Sequence, residues 1–365
     1  VAKTLKPDRA LFLTTLALVV IGVAMVFSAS AVIAKEKFGD PTYFWLRQVM
    51  AGALGMAVLF VIMKLDYHWL KRPAVIFTGL SIVIGLCLAV FFFPATRGTH
   101  RWIQFPGLSF QPSEVAKLAV VAFLAYYIEK RKGRINESET LVPLGVIVGT
   151  LAGLIILQKD LGTAVALLLT AAVLLYAAGL NMKWIGIASL AAAPIGYLGF
   201  YFLVFLEPHR WRRVLAYLNP EADPLGYGFQ NLQSLTAVGT GGITGLGYME
   251  SKQKLFYLPD AHTDFIFAIL GEELGMIGTL TVLALFSLFL WRGLRASTHA
   301  PDLFGSYLAL GITMTVCFQA FLNMSVVLKL VPNKGIPLPF VSYGGSSFVV
   351  MLASVGILLN VSQQG

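Results

Sequence analysis

The sequence predicts an all-α polytopic membrane protein of about ten transmembrane helices, with a long extracellular loop between the seventh and eighth. Three observations carry that expectation. Hydrophobic residues make up 57% of the 365 and charged residues only 12%. Mean hydropathy is +0.78. The apolar runs are long and lack the in–out alternation of barrel strands, which leaves helices as the way to satisfy every backbone group in lipid. A soluble domain carries about 25% charged residues, and half that fraction cannot cover a globule of this size. A soluble enzyme, a disordered chain and a nucleic-acid module are therefore excluded. The net charge of +9 comes without a basic tract interleaved with aromatics, and fits Lys and Arg gathered on cytoplasmic loops.

Spans are expected at about 11–34, 43–63, 74–93, 112–129, 141–157, 161–179, 184–206, 265–290, 303–326 and 343–362. The first is long enough to cross and lacks a small-residue cleavage site, so it reads as a span rather than a signal peptide. The second carries Arg47. Cys87 in the third and Cys317 in the ninth read as small core residues, not a disulfide. Pro112 suits the first turn of the fourth. The fifth and sixth are short enough to be tilted or broken. The loop 207–263 is too long for a connector. It opens with the basic, aromatic His209 to Arg213, offers a short amphipathic helix at Phe229 to Val238, and turns through glycines between 239 and 247. The loop ends at Leu258 to Asp264 and runs straight into the eighth span, and a stretch rich in Gly and Ser enters the tenth. An even count puts both termini on one side. Thirteen Lys and Arg lie in the loops of that side against seven in the short loops opposite, so the termini are expected in the cytoplasm. Segments 94–111, 207–263 and 327–343 then lie outside, within a single domain over 1–365.

Acids in or beside a membrane are costly and mark function. Glu114, Asp160, Asp264, Glu272 and Glu273 qualify. Asp264, at the outer mouth of the eighth span, suits a general base, or else complements the helix dipole. Glu114 and Lys117 share a helix face, either as a structural pair or as a positive charge offered to an anionic substrate. Arg47, and Arg101 beside Trp102, add positive charge on the outer side. Together with Lys117 and Lys159 they hint at a phosphate-bearing substrate. Glu272 and Glu273, bracketed by Gly271 and Gly275, suit a cation or a neighbouring helix; on an ideal helix begun at Asp264, Glu272 lies nearer that residue's face, which makes Glu273 the less favoured cavity residue. From Pro337 to Ser347 the glycines and hydroxyls offer either an anion site at a helix N-terminus or close packing. No Walker motif, GxGxxG or Ser/His/Asp arrangement is present, which argues against a nucleotide-driven pump or a serine hydrolase.

The stretches Arg101-Trp102-Ile103, Leu108 to Glu114 with Lys117, Asp160 to Ala164, Asn219-Pro220, Asp223 to Gly226, Gln233-Ser234, Leu258 to Ala268 and Gly335 to Ser347 resemble, in order and spacing, the SEDS family (shape, elongation, division and sporulation) of cell-wall polymerases. Lys159 departs from the proline expected there. Ser251 to Pro259 and Pro332 to Gly335 look like the division and sporulation branch, FtsW and SpoVE, more than the elongation branch, RodA. The resemblance implies a peptidoglycan glycosyltransferase that polymerises lipid II at the outer leaflet of the bacterial cytoplasmic membrane. It implies Asp264 as the essential residue, acting as base or as ligand of a divalent cation (Mg²⁺ or Mn²⁺), with no nucleotide. Arg47, Arg101, Glu114, Lys117, Asp160, Ser346 and Ser347 are the expected substrate-binding residues. The implied partners are lipid II, a lipid-linked glycan strand, membrane lipids and a class B penicillin-binding protein transpeptidase. A lipid II flippase and a non-catalytic scaffold for that transpeptidase are the competing readings.

Overall fold

The computed structural model describes residues 7–95, 98–105, 108–184, 186–187, 190, 217–219, 226, 228–332 and 335–365. Ten α-helices occur among them: α1 (Arg9–Phe38), α2 (Tyr43–Lys64), α3 (Pro73–Ala89), α4 (Pro112–Lys130), α5 (Ser138–Leu157), α6 (Leu161–Ala177), α7 (Phe229–Gly241), α8 (Ile266–Thr298), α9 (Leu303–Val327) and α10 (Gly345–Ser362). Nine of the ten expected spans coincide with helices. Most of the remaining one, 184–206, lies outside the described residues, as do His209 to Arg213 and Asp223. Seven described helices are long and apolar enough to cross a membrane. The short helix expected from Phe229 is α7. An antiparallel hairpin of β1 (Ile103–Phe105) and β2 (Leu108–Phe110), pairing Ile103 with Phe110, adds the one sheet among the described residues. Hydropathy does not register so short an element.

Asp8 caps α1 by accepting from Leu11 N–H at 3.0 Å, and its own N–H donates to Ser362 Oγ at 3.3 Å. Its carboxylate also meets Arg292 near the end of α8, at 2.5 Å. The start of α1 and the ends of α8 and α10 therefore share one face. α4 and α9 form the centre, and α4 is buried on nearly all sides, as an apolar helix enclosed by others should be. α10 lies along α2 at glycine distance. A Cβ on Gly55 would stand 2.6 Å from Leu352, and one on Gly356 would stand 2.9 Å from the Leu59 carbonyl. In lipid such close backbone approach is what favours helix pairing.

α8 departs from a straight span. Gly275 adopts φ 64°, ψ −159°, and breaks the helix into 266–274 and 276–298. A Cβ there would lie 2.3 Å from Gly245 N and 2.6 Å from the Ile243 carbonyl. The kink cancels the bonds from Met276 and Ile277 to Glu272 and Glu273, and segment 242–247 replaces both. Met276 N donates to Gly242 O (2.9 Å) and Ile277 N to Ile243 O (3.2 Å), while Leu246 N and Gly247 N donate to the Glu272 and Glu273 carbonyls (3.0 Å each). A broken helix is tolerated at membrane depth only where its freed groups find such partners. The stretch 276–298 alone runs about 34 Å, enough for a hydrocarbon core of about 30 Å. Its partner stretch 266–274, with Asp264 before it, thus lies at the face opposite the termini.

Candidate active site

Asp264 sits in the turn before α8, half-buried. Its carboxylate lies against Gly335, where a Cβ would be 2.8 Å from Oδ2 and 3.8 Å from an Arg101 guanidinium nitrogen. The acid and the guanidinium therefore both approach the bare face of Gly335, which any side chain there would crowd. Arg101 is 22% exposed at its side chain and 3.7 Å from Asp160. It also donates to the Lys159 carbonyl. Lys159 takes φ 64° between α5 and α6, and its exposed ammonium donates to Gly98 O at 3.0 Å.

The loop carrying Gly335 is tied to the Asp264 turn. Tyr343 N donates to His262 O (3.0 Å), and Ser342 Oγ donates to Thr263 O (2.6 Å). Gln48 of α2 spans the same loop, donating to Ser342 O and accepting from Gly344 N, each at 3.2 Å. Arg47 lies next to Gln48, its guanidinium 4.2 Å above the Tyr43 ring. Burial raises the pKa of the Tyr343 hydroxyl, and the charge of Arg47 works against the rise. Phe44 packs on His262 at 4.7 Å and on Tyr343 at 5.2 Å. Arg47 thus belongs to the same surface as Asp264. Tyr43, Phe44, His262 and Tyr343 were not singled out from sequence. The Tyr-x-x-x-Arg spacing, one helical turn, was the available signal.

The other expected site residues are more enclosed. Asp160 is 1% exposed and N-caps α6, accepting from Thr163 N (3.3 Å), Thr163 Oγ1 (2.9 Å) and Gln111 Nε2 (2.9 Å). This carboxylate is fully engaged by the protein. Ser346 Oγ accepts from Gln111 N at 3.2 Å, holding α10 to β2, and Ser347 is buried one residue further. Glu114 and Lys117 form the expected pair at 3.0 Å, 2% and 3% exposed. Lys117 also donates to Gln319 of α9. The pair borders a cavity of about 10 Å³ with Thr315, Met351 and Ser354, room for roughly one water and not for a sugar. Glu114 Oε2, buried beside it, is without a partner among the described residues.

Glu272 and Glu273 are held by the protein itself, and Glu273 meets a cation and a neighbouring helix, as the sequence allowed. Glu272 accepts from Ser251 Oγ (2.5 Å), Lys252 N (3.0 Å) and Gln253 N (3.3 Å). Glu273 accepts from Lys254 Nζ (2.7 Å) and from Ser28 Oγ of α1 (2.6 Å). The helix starts at Ile266, so Asp264 shares no helical face with either acid, and segment 241–254 covers both.

No group of three or more His, Cys, Asp or Glu able to hold a metal occurs among the described residues. A divalent cation here would rest on Asp264 and the substrate's own oxygens. Mg²⁺ is commonly bound that way, through one or two carboxylates and phosphate.

Residues 8–365 match the family model FtsW/RodA/SpoVE, described as "Cell cycle protein". The chain is 43% identical over 357 residues to the "Probable peptidoglycan glycosyltransferase FtsW" of Geobacter sp. (strain M18), covering 97% of this chain and 96% of that one. It is 44% identical over 369 residues to "Stage V sporulation protein E" of Bacillus subtilis (strain 168), covering 99% and 98%. It is also similar to a chain of the solved structure "Structural coordination of polymerization and crosslinking by a peptidoglycan synthase complex", with TM-score 0.80, 28% identity, and 98% and 97% coverage. The crystal structure of Thermus thermophilus RodA shares the fold, with TM-score 0.71 at 24% identity over 98% of this chain and 96% of that one.

Proposed function

The chain belongs to the FtsW/RodA/SpoVE family and is a multi-pass membrane peptidoglycan glycosyltransferase of the FtsW/SpoVE branch; we propose that it polymerises lipid II at the outer leaflet of the bacterial cytoplasmic membrane, with Asp264 at the reacting centre. The excess of Lys and Arg in the loops on the side of the termini supports cytoplasmic termini, which puts the Asp264 face outside.

The observation that carries this reading is the approach of Asp264 and Arg101 to the bare face of Gly335. The 4-hydroxyl of the acceptor sugar attacks C1 of the lipid-linked donor strand. The O4–C1 bond forms as the C1–O bond to undecaprenyl pyrophosphate breaks, with inversion. Asp264, half-buried and at the surface, takes the hydroxyl proton. Arg101 faces the negative charge that grows on the departing pyrophosphate, and Arg47 adds charge at the same outer surface. A divalent cation held by Asp264 and the pyrophosphate would supply further stabilisation of that charge. The buried Glu114–Lys117 pair supports the site from beneath. A class B penicillin-binding protein is the proposed partner, supported by the likeness to a chain of the peptidoglycan synthase complex.

The test is polymerisation of labelled lipid II by the purified chain with its cognate transpeptidase, with Mg²⁺ or Mn²⁺ and with EDTA, against a transpeptidase-only control. Long strands from wild type and none from folded Asp264→Ala are expected. Absence of polymer from a folded wild-type complex would return the flippase and scaffold readings. Loss with EDTA would add the cation to the site.

A further inference from the structure

Asp264 lies outside the regular part of α8, so the helix ladder does not fix it. Its own carbonyl is gripped by a buried amide on α9. Asn323 Nδ2 donates to the Asp264 carbonyl at 2.8 Å and to the Ile336 carbonyl at 2.7 Å. Ile336 follows Gly335, so one side chain grips both the Asp264 turn and the Gly335 loop. One turn earlier on the same helix face, Gln319 Nε2 donates to Pro337 O at 3.1 Å while its Oε1 accepts from Lys117. Two carboxamides thus join the Asp264 turn, the 335–344 loop and the Glu114–Lys117 pair.

Asn323 is 1% exposed, and its Oδ1 is buried without a partner among the described residues. A buried orphan acceptor costs stability. Fold stability alone therefore does not account for the residue, whose two donors do the holding.

We infer that Asn323, assisted by Gln319, is a positioning residue for glycosyl transfer, setting the distance between the Asp264 turn and the Gly335 loop. The inference rests on the reading of Asp264 as the base. It acts through placement, and a displacement of about 1 Å at a reacting group costs on the order of 100-fold in rate.

Asn360 supplies a matched comparison. It is also a buried carboxamide bridging two segments, accepting from Tyr67 N at 3.0 Å and donating to Met63 O at 2.9 Å, but at the face of the termini. The experiment uses the full chain with its cognate transpeptidase and labelled lipid II. Rates are normalised to folded complex, and melting temperatures are recorded for Asn323→Ala, Asn323→Asp, Asn360→Ala and Asp264→Asn. The expected result for both Asn323 variants is a fall in kcat of about 10- to 100-fold with KM moved by less than about 3-fold. Asn360→Ala should melt lower and keep the wild-type kcat. Wild-type kcat in folded Asn323→Ala, or an equal fall in Asn360→Ala, would overturn the inference while an inactive Asp264→Asn left the base in place. A fully active Asp264→Asn would overturn both the inference and the reading beneath it.

Discussion

Asp264 and Glu273 stand on either side of one short helical stretch, in opposite physical circumstances. Glu273 is wholly enclosed, its oxygens filled by Lys254 and Ser28. Glu272 beside it is met by Ser251 and two backbone N–H groups. These acids fasten segment 241–254 over the break at Gly275, where the backbone would otherwise carry unpaired groups in lipid. Asp264 is half-buried, near a guanidinium and against the bare face of Gly335. An acid in a membrane protein is not a site by virtue of its cost. Its surroundings decide: a carboxylate enclosed deep among its own chain's donors builds structure, and a half-buried one beside a guanidinium at the surface can meet a substrate.

The largest effect that would sharpen this contrast is on stability. Lys254→Met leaves Glu273 buried without its cation, which should destabilise the fold by about 3–5 kcal/mol. Thermal melting of the detergent-solubilised protein would show it, and an unchanged melting temperature would break the clamp account. Next is Gly335→Val, whose side chain would meet Asp264 Oδ2. We expect polymerisation to fall about 100-fold, or about 2.7 kcal/mol of barrier, with little change in melting. Arg101→Lys keeps the charge and loses the planar fork, and a roughly 10-fold loss is expected in the same assay. Full activity in that variant would remove Arg101 from the pyrophosphate.

The smallest effect belongs to the opposite face. Asp302, the N-cap of α9, is partly buried, which opposes ionisation. The Tyr67 hydroxyl at 2.7 Å, the Gly305 N–H, and the charges of His68 and Lys71 outweigh that and hold its pKa below the usual carboxylate value. Because the folded pKa is depressed, its contribution is full above the unfolded pKa of about 3.9. It is lost as pH falls through the folded value. Asp302→Asn should therefore flatten the acid limb of stability below about pH 4 and leave polymerisation at neutral pH unchanged. An unaltered acid limb would remove that linkage.

The bundle was legible because hydropathy averages over twenty residues and tolerates errors at the ends. Asp264, Arg101 and the Glu114–Lys117 pair were legible because charge in an apolar chain is conspicuous. The kink at Gly275 was not, since a glycine in an apolar run equally suits close packing. Glu272 and Glu273 were legible as acids able to bind a cation or a neighbouring helix, but not their particular partners Ser28, Ser251 and Lys254, which come from other segments that no helical spacing reports. Asn323 escaped for a related reason. An amide inside a span carries no charge to draw attention, and its role depends on two backbone carbonyls that only the folded chain brings together.

The most direct test compares polymerisation per folded molecule in Asp264→Asn and Glu273→Gln, each with the cognate transpeptidase and each with its melting temperature. The account predicts no strands above the transpeptidase-only background from an Asp264→Asn chain that melts like wild type. It predicts a lower melting point but a wild-type rate per folded molecule for Glu273→Gln. Strands at the wild-type rate from Asp264→Asn would contradict it.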